Sequence, residues 1–197
     1  MLDALLPLLL FALVSTISPG GATTLATASG ANFGWWRSFP LLSGISFGLA
    51  SMAAAAAAGL GGLILALPSL QLAMKLVGTA YLLWLALQIA RRGAPGTAAA
   101  TEKPSRFLTG VWLLWQNLKA WAMTLSAAAS FAALTRGPET LALLLGLVFA
   151  VFSLISLAIW CVAGVVLARA LKTEAQWRIL NMSLGALLVA SIVPIWL

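Results

Sequence analysis

The sequence predicts an all-α integral membrane protein, with six transmembrane helices forming two inverted three-helix repeats. Three observations point there. Apolar residues make up 62% of the 197-residue chain and charged residues 8%, with a mean hydropathy of +1.07. A soluble globule so composed would lack the polar surface that keeps it dispersed. Long uncharged runs recur, at lengths comparable with the roughly 20 residues a helix needs to cross the hydrocarbon layer. Finally, the basic residues cluster at alternate ends of those runs.

The first helix is expected over residues 4–30. Its only preceding charge is Asp3, and Pro19-Gly20-Gly21 interrupts it. It therefore reads as a retained helix rather than a cleaved leader, although Ala26-Thr27-Ala28 mimics a cleavage site. The second helix is expected over 38–67, ended by Pro68-Ser69, and the third over 70–90, with Lys75 in its first turns. Residues 91–106, with Gly93, Pro95, Gly96 and a run of small residues, read as a flexible loop. The fourth helix, 108–134, contains Lys119; the fifth and sixth cover 140–168 and 177–196. Other connections are short. The expected organisation is one transmembrane domain, 1–197: repeat one at about 4–90, a cytoplasmic loop at about 91–106, and repeat two at about 107–197.

Orientation is set by Lys and Arg. Arg37, Arg91, Arg92, Lys103, Arg106, Arg169, Lys172 and Arg178 belong to the first, third and fifth connections and their flanks, whereas Lys75 and Arg136 belong to the opposite side. Both termini are thus expected on the outer face. Trp35, Trp36, Trp177 and Trp196 are expected as interface anchors. Gly30-x-x-x-Gly34, Gly44-x-x-x-Gly48 and Ala53 to Ala58 supply small faces for close helix packing. Gly78-Thr79-Ala80-Tyr81-Leu82-Leu83 resembles Gly185-Ala186-Leu187-Leu188-Val189, as a repeat of three helices would require. Three is odd, so the two halves insert with opposite orientations, and such repeats bind solutes near midplane.

Two polar interruptions carry the chemistry. In the first helix, Ser15-Thr16-Ile17-Ser18 precedes Pro19-Gly20-Gly21-Ala22-Thr23. Pro19 has no N–H, so the Ser15 carbonyl loses its helical partner, and the two adjacent glycines loosen the backbone further. Either the half-helix after Pro19 presents free amides to a carboxylate, or the kink is closed locally by Ser15 or Ser18. In the fourth helix, Trp115-Gln116-Asn117-Leu118-Lys119 places an ammonium near midspan. A charge there costs about 2.5–3.5 kcal/mol on insertion scales. Lys119 either meets a bound anion, carbonyls, water or the Trp115 and Trp121 rings, or snorkels to an interface.

With these residues placed, the chain resembles the lysine exporter (LysE/RhtB-type) translocator family, nearer its homoserine/threonine-efflux branch. The likeness covers essentially the whole sequence. The family's first-helix Pro-Gly-Pro corresponds to Pro19-Gly20-Gly21, its glycine-rich second helix to Gly34, Arg37, Gly44 and Gly48, and its Lys-x-x-Gly-x-x-Tyr-Leu to Lys75, Gly78, Tyr81 and Leu82. Its Phe-x-x-Gly and Asn-Pro-Lys correspond to Phe107, Gly110 and Asn117-Leu118-Lys119. Gly21 and Leu118 stand where the family has proline, so the fourth helix is expected to be less sharply broken than in relatives. The resemblance implies an inner-membrane exporter of amino acids or similar small metabolites, a homodimer, and use of the proton gradient.

The function expected is secondary-active export of a small zwitterion, with Ser18, Pro19, Gly20, Gly21, Thr23, Gln116, Asn117 and Lys119 as substrate-binding residues. The carboxylate would meet Lys119 and the Pro19–Thr23 terminus. No Asp or Glu falls inside a run, so a neutral or weakly polar amino acid fits better than lysine or arginine. An integral membrane scaffold or lipid-handling protein is the alternative. Other classes fit poorly. Gly44-Ile45-Ser46-Phe47-Gly48 matches a nucleophile pattern, but it lies mid-helix in a chain with no His, so no enzyme is expected. One cysteine, Cys161, excludes an intrachain disulfide and Cys/His metal clusters, and no cofactor is expected. The net charge of +7 forms no basic stripe with interleaved aromatics, so no nucleic-acid partner is expected. The partners expected are the amino-acid substrate, the bilayer and a second copy.

Overall fold

A computed structural model describes residues 2–60, 66–92 and 104–196, and these form helices and their connections. In order they are α1 (Leu2–Ile17), α2 (Gly21–Ala57), α3 (Pro68–Ala90), α4 (Phe107–Trp115), α5 (Leu118–Ser130), a 3-10 turn (Ala132–Leu134), α6 (Pro138–Ala170), α7 (Glu174–Ala190) and α8 (Val193–Trp196). Among the described residues, α2, α3 and α6 are long and apolar enough to cross a membrane, and α1 is a shorter apolar helix. The loop expectation for 91–106 falls largely on residues 93–103, which lie outside the described residues.

α2 is two arms joined at Gly34. That residue has φ 75° and ψ 177°, a region essentially closed to residues with a Cβ. Ser29 Oγ donates to Ser38 Oγ at 2.8 Å, whereas nine residues of unbroken helix would separate them by about 13.5 Å. The chain therefore folds back between residues 21–33 and 35–57. Gly34 was expected on a packing face with Gly30; its role is the turn. The second arm ends at Ala57, short of the expected boundary at 67; residues 61–65 of that expectation lie outside the described residues. Gly59, with φ 93°, terminates it, and its N–H donates to the Ala56 carbonyl at 3.1 Å.

α6 is the central strut. α1 and both arms of α2 pack on it, the second arm also packs on α4, and α3 packs on α7. Close approach needs small residues at the crossings. A Cβ on Gly164 would collide with the Thr27 carbonyl, and one on Gly30 with the Cys161 carbonyl. Ser46, the serine of the nucleophile-like pattern, donates to the Ala150 carbonyl at 2.7 Å and ties the second arm to α6.

The opposite face of α6 exposes Leu143, Leu147, Val151, Ile155, Ile159, Val162 and Val166. These recur at helical spacing, as a lipid-facing stripe does. Trp36 is 83% exposed beside Arg37, as an interface residue should be, but Trp177 is only 7% exposed. The expectation for Trp177 is corrected: α7 starts three residues earlier than expected, at Glu174, and carries the indole inside. The start is set by a capping box in which Thr173 Oγ1 accepts from Gln176 N and Gln176 Oε1 accepts from Thr173 N.

Candidate functional site

The first interruption separates α1 from α2 at Ser18-Pro19-Gly20. In a continuous helix the carbonyls of Thr16 and Ile17 would accept from the amides of Gly20 and Gly21. Here they accept from α6 instead: Ser156 Oγ donates to the Thr16 carbonyl at 2.7 Å, and Trp160 Nε1 to the Ile17 carbonyl at 3.1 Å. Ser18 Oγ turns back to the Val14 carbonyl at 2.6 Å. On the far side of the break Gly20 is extended, and no side chain caps the amides that open α2. The Gly20 amide itself donates to Thr23 Oγ1 at 2.8 Å, and that hydroxyl donates to the Gly20 carbonyl at 3.0 Å.

The second interruption is a full break, sharper than Leu118 led us to expect. Even without the proline, Asn117 caps α5: its Oδ1 accepts from Lys119 N at 3.0 Å and Ala120 N at 3.3 Å. Trp121 Nε1 takes the Trp115 carbonyl at 3.0 Å, and the two rings meet edge to face at 5.4 Å. These tryptophans thus brace the break, rather than offering their faces to Lys119. Trp115 Nε1 also donates to Ser51 Oγ at 3.1 Å, anchoring the break to the second arm of α2.

The two breaks converge. A cavity of about 520 Å³ is lined by Pro19, Gly20, Gly21 and Thr23 from the first, Asn117 and Lys119 from the second, Ser183 of α7, and Ser191 at its C-cap. A smaller cavity of about 90 Å³ adjoins it, with Ser15, Ser18, Met123 and Ser153 in its wall. Gly20, Gly21, Thr23, Asn117 and Lys119 line both. Lys119 is exposed, and no ion pair or side-chain hydrogen bond engages its ammonium among the described residues.

Seven of the eight expected residues therefore come together. Gln116 does not line either cavity; it is 9% exposed, its backbone packs under Gly78 of α3, and neither amide atom has a partner among the described residues. The structure adds Thr24, Thr27, Ser183 and Ser191 to the larger wall and Ser153 to the smaller one. Isolated hydroxyls in apolar helices carry no local mark, and only the assembled helices reveal which of them face inward.

At the end of the molecule bearing Arg37 and Arg92, side chains tie the helices together. Both guanidinium groups lie over the Phe33 ring, at 5.8 and 4.9 Å. Asn32 Nδ2 donates to Asn181 Oδ1 at 3.2 Å, and Asn181 Nδ2 to the Arg92 carbonyl at 3.0 Å. Asn181 is a fully buried cross-link.

Apolar helices with lipid-type exteriors, broken where they meet around a cavity whose wall carries hydroxyls, Asn117 and Lys119, define a multi-pass membrane transporter. The chain belongs to the LysE type translocator family, which matches residues 13–191. It is similar to a cysteine/O-acetylserine efflux protein of Klebsiella pneumoniae subsp. pneumoniae, at 30% identity over 182 residues, 92% of this chain and 91% of that one. A cysteine/O-acetylserine efflux protein of Salmonella choleraesuis is 28% identical over 190 residues, 94% of each chain. An uncharacterised membrane protein of Vibrio cholerae serotype O1 is 33% identical over 94 residues, 48% of this chain and 46% of that one. No solved structure matches. A translocator is not an enzyme, and the scaffold alternative is set aside.

Proposed function

We propose that this protein is a secondary-active exporter of small neutral amino acids, of the cysteine and O-acetylserine kind, across the bacterial inner membrane. The observation that carries the reading is the meeting of both helix breaks on shared cavities, with Gly20, Gly21, Thr23, Asn117 and Lys119 in both walls. The uncapped start of α2 and the Lys119 ammonium provide positive potential for a carboxylate. The Ser15 carbonyl, deprived of an amide by Pro19, is an acceptor for the ammonium of the solute. Ser18 and Pro19 shape the entry to this terminus, and Gln116 receives the solute when the second break rearranges. The relatives named for cysteine and O-acetylserine efflux support the substrate class, as does a lining without Asp or Glu among the described residues.

The wider architecture supports the same reading. Each proposed half opens with a broken helix, α1 with the first arm of α2 in one and α4 with α5 in the other. The corresponding later elements pack on each other, the second arm on α6 and α3 on α7. We therefore assign six crossings in one domain, 1–197, as inverted repeats at about 4–90 and 107–197 around a cytoplasmic loop. Arg37 and Arg92 sharing one aromatic ring supports a common basic end, facing the cytoplasm, with both termini outside. Assembly as a homodimer and coupling to the proton gradient complete the proposal.

The test is transport into inside-out vesicles containing the protein. Cysteine and O-acetylserine should accumulate and lysine should not. Lys119→Gln should lower uptake at subsaturating substrate by about tenfold or more, the loss expected for a charge-assisted contact. Preferential transport of lysine would overturn the substrate assignment, and unimpaired uptake by Lys119→Gln would remove the carboxylate role from that ammonium.

A further inference from the structure

We propose that Ser156 and Trp160 of α6 are positioning residues that hold the first helix break open and so keep the Gly21 amide available to the solute. This rests on the carboxylate reading above and extends it to two residues outside the expected site.

The geometry is one of substituted donors. An α-helix running through this region would pair the Thr16 carbonyl with the Gly20 amide and the Ile17 carbonyl with the Gly21 amide. Pro19 deletes the preceding bond, to Ser15, and its ring kinks the helix there, but the Gly20 and Gly21 amides that would serve those two pairs are both present. They do not form. Ser156 Oγ has taken the Thr16 carbonyl at 2.7 Å and Trp160 Nε1 the Ile17 carbonyl at 3.1 Å. Ser156 and Trp160 are four residues apart, so they share one face of α6 and reach successive carbonyls.

The displaced amides then diverge. Gly20 N donates to Thr23 Oγ1, whereas Gly21 N finds no partner among the described residues. Gly21 lines both cavities. Each α6 donor thus satisfies a carbonyl that apolar surroundings would otherwise force back onto its helical amide. Ser156 is almost fully buried, and Trp160 itself lines the larger cavity, so the indole couples α6 directly to the chamber. Without these donors the break is free to anneal, and the first-turn amides are spent inside the protein.

The test uses the full chain in proteoliposomes, with O-acetylserine and its decarboxylated amine as competitors of cysteine uptake. In the wild type the amino acid should compete and the amine should not. Trp160→Phe keeps the ring and deletes the donor; Ser156→Ala deletes the hydroxyl; Ser156→Thr restores one. The two deletions should each raise KM for cysteine by about 2- to 10-fold, the range of one hydrogen bond, with Vmax per folded protein maintained. Ser156→Thr should recover the wild-type KM.

Gly21→Pro, which deletes the amide at the first helical position, should raise KM beyond Gly21→Ala, which keeps the amide and brings the same Cβ against Ser191 Oγ. A raised KM in Gly21→Pro with unchanged KM in Trp160→Phe and Ser156→Ala would overturn the positioning role and leave the carboxylate site standing. A wild type that treats acid and amine alike would overturn the carboxylate reading and this inference with it. Equal loss of Vmax and thermal stability in the deletions, at constant KM, would reduce Ser156 and Trp160 to packing residues.

Discussion

Gln116 is the residue whose environment contradicts its chemistry most sharply. A carboxamide carries two donors and an acceptor, yet both polar atoms of this one are buried without partners among the described residues. Leaving a buried polar group unsatisfied costs about 1–3 kcal/mol, so replacement by an apolar side chain of similar length should stabilise the protein. We expect Gln116→Met to raise the thermal unfolding midpoint in detergent while lowering transport, because the proposed role of the amide is exercised in another conformation. A lower midpoint would mean that the amide is satisfied in the resting state. Unchanged transport with a higher midpoint would remove Gln116 from the solute path.

Residue chemistry was also where the sequence was most legible. Pro19 lacks an N–H and Gln116-Asn117 sit in an apolar run, so both breaks could be located from covalent structure and composition alone. The donors that stabilise the first break could not. Ser156 and Trp160 lie about 140 residues from the carbonyls they serve, and nothing local distinguishes them from other polar or aromatic residues of α6. Leu118 misled in the other direction. A missing proline suggested a gentler break, but the Asn two positions before Lys119 caps the next helix without it.

At the level of elements, glycines divide between turning and packing, and the pattern Gly-x-x-x-Gly does not say which. Gly30 packs against α6, whereas Gly34 turns the chain. Substitution should separate the two roles. Gly34→Ala forces a Cβ into a backbone region worth about 1–3 kcal/mol of strain, and we expect a lower unfolding midpoint with little dependence on side-chain size thereafter. Gly164→Ala meets the Thr27 backbone, which cannot rotate away. Its cost should grow from Ala to Val to Leu as the two helices are driven apart. Unfolding midpoints across both series give the comparison, and a size-dependent series at Gly34 would contradict its assignment as a turn.

For the whole molecule, the proposed orientation and energy coupling make one connected prediction. The large cavity reaches towards Leu167 and Leu180 at the end bearing Arg37 and Arg92, where the Asn32–Asn181–Arg92 hydrogen bonds lie. If that basic end faces the cytoplasm, a reporter fused to either terminus should be active outside the inner membrane, and export requires the asparagine bridge to open and close. A pH gradient, acid on the side corresponding to the periplasm, should drive cysteine towards that side against its own gradient, and an uncoupler should abolish the accumulation. The lining offers no Asp or Glu among the described residues, and Lys119 is a cation on both cavity walls, so the proposed coupling is tested at that residue. Lys119→Gln should then retain at most downhill exchange. A Lys119→Gln protein that still concentrates cysteine under a pH gradient would transfer the coupling to another group, and a wild type indifferent to the gradient would make the protein a facilitator.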